Sequence, residues 1–481
     1  MKTLYCDTMA NRYKVDDGSS SIIMAAIEIG NSHSCYSFSF CHDPYDIQVK
    51  YKWTESHSHR TYYGKAPLAV LFDEKKVFHS FGYFAEDKYA ELSEDNEHFS
   101  WYFFRELKTF WHGKRITSNI EIDDIEGKKM KAIDVFGAII GFLKEDLCGH
   151  FKDDPMIDIE KDISWILTVP DSWPSDAHLF MKEAAYKAGI DEKQLSIITE
   201  SVAAITFCQR FPKSEMCGTS EAESFVDSQE NKFVVINARH DDTHISVYKK
   251  HKDDGLMALH NASDRPWGVA CIEEEFYSML SRIIGFSVHQ ILLDCDKDDV
   301  LDSQRELKAK CMFTGFEHKK VTISNPASML DKFIDLTKQT IMEATERSSY
   351  NKTVRWVRKR VRIDLELFKT FFKPCAEKIV AYIQDLISKH DILERSTIVL
   401  VGELSESPIF QDIIQKALPN GKFIIPSSPS EAVCRGAVLF GRKPIPVASY
   451  FSKNSYGSVD ESVTETLIYT FHSGITPLLF H

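Results

Sequence analysis

Over 481 residues the chain has no apolar run approaching the roughly 20 residues of a membrane helix. No membrane span is therefore expected. The first 21 residues are polar and lack the apolar core of a secretory signal. None of the eleven cysteines forms a C-x-x-C, their number is odd and their spacing is irregular. That argues against a disulfide framework or a zinc finger and for reduced thiols in the cytoplasm. Positive charge is also scarce, with 58 Lys and Arg against 71 Asp and Glu and a net charge of −13. A nucleic-acid partner, which needs a basic footprint, is not expected. No G-x-S-x-G elbow, Walker A loop or dinucleotide fingerprint occurs, so three common catalytic scaffolds lose their sequence support.

What remains has the composition of a globular protein, 43% apolar and 27% charged. Residues 22–40 alternate β-branched, small and aromatic side chains around Gly30-Asn31-Ser32, which predicts a strand, a tight turn and a second strand. The same plan returns at 233–248, roughly 210 residues later, and points to a duplicated architecture. Apolar residues at helical spacing over 133–147, an alanine-rich stretch ending at Gly189, and buried strands at 164–169, 195–199 and 396–401 complete an alternation of strands and helices. The fold class is α/β. The expected division is a disordered segment over 1–21, a first lobe over 22–215, a polar linker over 216–231, a second lobe over 232–445 and a short tail over 446–481.

Six segments, in order, carry a resemblance: AAIEIGNSHSC (25–35), WILTVPDSWPSDAHLFMKEAAYKAGI (165–190), LSIITESVAAI (195–205), RPWGVACIEEEF (265–276), VLVGELSESPIFQ (399–411) and SEAVCRGAVLFG (430–441). Together they resemble the nucleotide-binding domain of the 70-kDa heat-shock proteins. KAPLAVLF and FHSFGYFAEDKY (65–72, 78–89) are similar to the family's divergent heat shock 70 kDa protein 12 subgroup. The resemblance implies a two-lobed actin-like ATPase fold with ATP or ADP as ligand, accompanied by Mg2+. It also implies roles for single residues. Glu28 stands where the family carries a carboxylate acting through metal-bound water, and Gly30, Asn31 and Ser32 form the first phosphate turn. Lys108 matches the lysine that neutralises the transferred phosphate, and Glu200 the glutamate that orients metal-bound water. Gly268 matches a phosphate-side glycine, Gly402 the glycine under the nucleoside, and Lys310 the basic residue stacked on adenine.

The second turn departs from the family. Where the pattern requires an aspartate, a glycine run, a threonine and another aspartate, this chain has Asn237, Arg239, His240, Asp241, Asp242 and His244. Bulk replaces glycine there. Asp241 and Asp242 bring like charge toward a phosphate, a repulsion on the order of 1–4 kcal/mol at about 4 Å. Glu403 replaces a second nucleoside-side glycine, and the acidic run at 273–275 reads as a solvated helix face, with Glu273 or Glu275 lining the cleft as the alternative. Only 40 residues follow Gly441, too few for the β-sandwich and lid of the chaperones. The expectation is a pseudo-ATPase with weakened nucleotide binding that works through protein partners. A slow ATPase using Glu28, Lys108 and Glu200, and a small-molecule kinase of the same superfamily, are the alternatives.

Overall fold

The computed structural model describes residues 21–30, 32–54, 61–105, 107, 116–117, 119–211, 216–218, 232–250, 255–295, 297–390, 396–449 and 467–469. Asn31 and Lys108, two of the expected site residues, lie outside this set.

Two mixed sheets organise the chain. The first contains β1 (Ile23–Ile29), β2 (His33–Phe40), β3 (Asp43–Val49), β4 (Ile163–Val169) and β5 (Leu195–Thr199) in the order β5-β4-β1-β2-β3. β1 and β2 form an antiparallel hairpin, and β4 runs parallel beside β1. Every residue of β1 is buried, as a strand covered on both faces requires. The second sheet contains β6 (Lys232–Ala238), β7 (Thr243–Lys250), β8 (Leu256–Arg265), β9 (Ser396–Val401) and β10 (Lys422–Pro426). Its core order is β10-β9-β6-β7-β8, with β6 and β7 antiparallel and β9 parallel to β6. The two five-strand orders correspond strand for strand and direction for direction. Register places Glu28 opposite Cys35 in one hairpin and Asn237 opposite His244 in the other.

The helices that matter for the site are α1 (Ala132–Gly149), α2 (Ser175–Lys187), α3 (Glu200–Arg210), α4 (Val269–Ile284), α5 (Lys297–Phe313), α6 (Lys373–His390) and α7 (Ala432–Arg442). α1 and α2 cover the first sheet through Phe136, Ile140, Leu143, Phe180 and Ala184. α4 covers the second through Ile272, Phe276, Met279 and Leu280. α3 and α7 lie between the two sheets. Their shared core takes Met24, Ala26 and Ile166 from the first sheet and Val235, Val399 and Val401 from the second. The helices meet backbone to backbone at Gly436, where a Cβ would sit 1.9 Å from the Ala203 carbonyl oxygen.

Two expected boundaries shift. Met216–Gly218, placed in the linker from sequence, pairs antiparallel with Ile424–Pro426 as an edge strand of the second sheet. Its backbone groups satisfy an open sheet edge, so residues 216–218 belong to the second sheet. In the tail, Val447–Ser449 runs parallel to Leu256–Ala258, and Leu467–Tyr469 pairs with it. The described part of the tail therefore extends the second sheet.

Gly436→Val should destabilise the protein by about 1–3 kcal/mol, because α3 and α7 must separate to admit the side chain. Gly141→Ala is the control, since its nearest neighbour stands at 3.9 Å. It should leave stability unchanged or raise it by about 0.5–1 kcal/mol. Urea midpoints of the two variants test this, and equal effects would contradict the close approach.

Candidate functional site

The carboxyl ends of β1, β5, β6 and β9 converge between the two sheets, which is where open α/β sheets place ligands. Glu28 ends this convergence on the first hairpin. It is 4% exposed, and Lys65 Nζ donates to its Oε1 at 2.5 Å. Burial lifts the Glu28 carboxyl above its ordinary range, and Lys65 opposes that lift. Burial also works against charge on Lys65, but Glu28, with Cys35 and Glu403, holds its ammonium above the usual value. The pair is therefore read as an ammonium donating to the carboxyl group. The first turn is closed on itself, with Gly30 N–H donating to the His33 carbonyl at 2.8 Å.

Glu200 opens α3 and is 1% exposed. Arg239 Nη1 donates to both of its oxygens, at 2.8 and 2.9 Å, and Asn237 Nδ2 adds a bond of 2.8 Å. The same guanidinium donates from Nε to Asp242 Oδ1 at 2.7 Å and from Nη2 to His244 Nε2 at 2.7 Å. Burial would raise Asp242, yet Arg239 and His244 hold it well below the usual carboxylate range. All five side chains are buried. The sequence reading had Asp241 and Asp242 facing a phosphate. In the structure Asp242 turns to Arg239, and Arg239 enters the cleft to hold Glu200. A buried carboxylate demands a counter-charge, and the single guanidinium fork reaches two carboxylates at once.

The expected phosphate-side and nucleoside-side glycines serve the second hairpin. A Cβ at Gly268 would lie 2.2 Å from the His240 carbonyl oxygen. The first amides of α4 are spent on the same turn, Val269 N–H on Arg239 O and Ala270 N–H on His240 O. Gly402 has φ +93°, and a Cβ there would lie 2.3 Å from the Ala238 carbonyl oxygen. The backbone that touches Gly402 along its Cβ direction is thus the hairpin strand. Between the two hairpins, Glu28, Gly30, Lys65, Asn237, Arg239 and Gly402 enclose about 10 Å³. That volume holds about one water. A phosphate group does not fit it, and the oxygens of Glu28 and Glu200 that face it are already engaged by Lys65, Arg239 and Asn237. The donor set does not fit a magnesium–phosphate assembly.

Beyond this narrow centre the cleft opens to about 600 Å³ between Ser32, Lys65 and Tyr83 on one side and Glu273, Arg305 and Lys308 on the other. Two histidines stand at the junction with ring centroids 5.4 Å apart. Burial and the nearby Lys308 push His33 well below its ordinary value. Neutral His33 accepts from the Lys308 ammonium at Nε2 and bonds Ser32 Oγ through Nδ1 at 2.8 Å. Burial acts the same way on His240, but Asp241 at 2.7 Å and Glu273 at 3.4 Å outweigh it and raise its pKa to about 10. Glu403 Oε1 lies 3.7 Å from His33 Nδ1. Burial would raise Glu403, but Lys308 and Lys65, with His240 and Arg239, keep it ionised.

About nine-tenths of the chain aligns with each of three heat shock 70 kDa proteins. Heat shock 70 kDa protein 12A from Mus musculus is 25% identical over 92% of this chain and 73% of its own length. The Homo sapiens protein of that name is 25% identical over 94% and 73%. Heat shock 70 kDa protein 12B from Homo sapiens is 27% identical over 90% and 71%. The chain is a relative of the heat shock 70 kDa protein 12 group. No protein-family model matches it.

Against that family, one expected residue changes place. Gln304, Arg305, Lys308 and Met312 of α5 line the open cleft at helical spacing. Lys310, expected over a base, does not line it. It lies two residues past Lys308, about 200° around the helix. Lys65 and Lys308 were missed because no local pattern distinguishes them from solvated lysines. Lys65 did have one cue, its position in the KAPLAVLF segment that carried the subgroup resemblance.

Arg239→Ala leaves Glu200 and Asp242 buried without their counter-charge and should cost about 3–5 kcal/mol in urea unfolding. Arg239→Lys should recover only part of this, since an ammonium cannot span both carboxylates. A second expectation concerns pH. Protonated His240 contributes its full stabilisation below its ordinary 6.5 and loses it as pH climbs through about 10. His240→Gln should flatten the decline in urea midpoint across that window. An unchanged slope would remove His240 from the balance. Asp242, held low, contributes above its ordinary 3.8 and affects stability only in acid below it.

Proposed function

We propose that this chain is a heat-shock-70-like pseudo-ATPase, a two-lobed actin-like fold whose phosphate site is filled by its own side chains. The observation that carries this is the Arg239 guanidinium bound to Glu200 and Asp242 in a centre with about 10 Å³ of free space. Phosphoryl transfer relies on positioned charge around the transferred group and on a metal held by free carboxylates. Here each inner cation is already matched: Lys65 by Glu28, Arg239 by Glu200 and Asp242, and His240 by Asp241 and Glu273. The recurrence of one strand order in both sheets, together with the family relationship, supports the actin-like reading.

The open cleft of about 600 Å³ is large enough for a nucleoside. ATP or ADP is held there through its nucleoside end, weakly and without a metal. The protein works through protein partners in the cytoplasm. The exposed side chains of Leu293, Phe313, Phe316, Leu336 and Met342, gathered in one stretch of the second half, supply apolar surface for such contacts. Among the described residues no helix is long and apolar enough to cross a membrane.

Phosphate release from ATP with Mg2+ should match a protein-free control, and Glu200→Gln should leave it unchanged. Melting should shift at least as much with ADP as with ATP, and chelating Mg2+ should not alter either shift. Turnover that disappears in Glu200→Gln, or stabilisation by ATP that needs Mg2+, would overturn the reading.

A further inference from the structure

The densest basic run of the chain, Arg358-Lys359-Arg360-Val361-Arg362, has no part in the cleft. It forms a turn and the middle strand of a three-stranded antiparallel sheet, ordered Lys320–Ser324, Arg360–Asp364, Val354–Val357. Val354, Trp356, Val361 and Ile363 pack into the core of the second half. Strand alternation then turns Arg355, Val357, Arg360 and Arg362 to solvent. Arg355 stands directly opposite Arg362, and Val357 opposite Arg360. The outer face of the sheet is a ladder of arginines.

This arrangement works against the sheet. Residues opposite each other across two strands have Cβ atoms about 4.5–5.5 Å apart, and like charges there repel. Carboxylates meet the ladder at its rim, where Asp364 pairs with Lys320 at 3.5 Å and Asp299 with Lys359 at 3.9 Å. Among the described residues Arg355, Arg358, Arg360 and Arg362 form no ion pair. The turn carries a second cost. Arg358 opens the two-residue connection between Val357 and Arg360 with φ +56°. Hairpin turns of that length favour Gly, Asn or Asp at positive φ, so the backbone gains nothing from an arginine there.

We propose that this face binds an extended acidic segment of a partner protein, one with Glu or Asp at alternate positions. The spacing carries the inference. Arg360 and Arg362 lie two residues apart on one strand, which sets them about 6.7 Å apart. An extended peptide laid along that strand repeats its side chains at the same interval, so successive carboxylates meet successive arginines. Arg355 adds a second guanidinium beside Arg362, and Arg358 is exposed at the turn beyond Arg360. The planar fork of each arginine matches the two oxygens of a carboxylate. Such a segment supplies the counter-charge that the ladder lacks. The net charge of −13 disfavours broader polyanions. A bilayer or a nucleic acid would also meet the acidic remainder of the surface, whereas a short segment lies within a screening length of the arginines. The inference deepens the protein-partner part of the reading above and does not depend on the state of the phosphate site.

The test is fluorescence anisotropy of the full chain with two labelled peptides of equal Glu content at low salt. In one, Glu alternates with Ser; in the other, Glu stands at every third position and points to both sides of an extended chain. The alternating peptide should bind about 10-fold tighter. Replacing both Arg360→Gln and Arg362→Gln should weaken it by about 10-fold or more. The urea midpoint of Arg362→Gln should not fall, since the change removes repulsion with Arg355. Arg358→Gly should hold or raise the midpoint and still weaken the peptide, two opposite signs that a purely structural role does not give. Equal binding of the two peptides overturns the proposal, as does binding indifferent to the paired Gln change. It is also overturned if phosphatidylserine vesicles or polyuridylate bind through these arginines and the alternating peptide does not. Phosphate release from ATP reports on the other site alone, so the two readings fail separately.

Discussion

The cleft depends on the need of buried carboxylates for a counter-charge. Glu200 is almost fully enclosed, and an uncompensated carboxylate there costs several kcal/mol. Arg239 meets that need from the neighbouring hairpin, and its fork reaches Asp242 in the same gesture. Once the guanidinium is inside, the rest of the hairpin follows it. Its carbonyls come down on Gly268 and Gly402, where only a residue without a side chain leaves them room. Its carbonyls also take the first amides of α4. The result is a narrow centre in which buried carboxylates are matched by the protein's own cations.

The same need sets the protonation of the two histidines at the junction. Both are buried, and burial alone would keep both neutral. His240 has two carboxylates within reach and becomes a cation. His33 has Lys308 against its ring and stays neutral. Opposite states a few ångströms apart let the cleft hold Lys308, Lys65 and several carboxylates without net strain between like charges. The open part beyond them keeps its volume because its long charged side chains fold back onto partners. Arg305, for example, bridges to Glu86 and Asp87 across the cleft.

Much of the fold was legible from local pattern. Alternating residues around Gly30 and again around 239–242 identified both hairpins, because a half-buried ladder imposes a period of two. The short apolar runs at 164–169, 195–199 and 396–401 are buried parallel strands, as their bulk and length implied. Met216–Gly218 was not legible, since an edge strand is defined by the strand it joins and its own residues carry little signal. In the site, Glu28 and Glu200 were found through strand ends and family resemblance. Lys65 and Lys308 were not, since their importance lies in what faces them across a gap. Lys310 was named from the family resemblance, and chain position alone does not say which way a helix is turned.

The amino-acid sequence by itself determined the α/β class, the repeated hairpin plan, the loss of glycine from the second turn and the acidic character of the chain. These follow from side-chain type and spacing, which act over a few residues. Only the tertiary structure decided that Arg239 points inward, that Gly268 and Gly402 receive the hairpin, and that Lys65 neutralises Glu28. Each of these joins residues far apart in the chain, and the energy of a buried charge is set by the partner that folding brings to it.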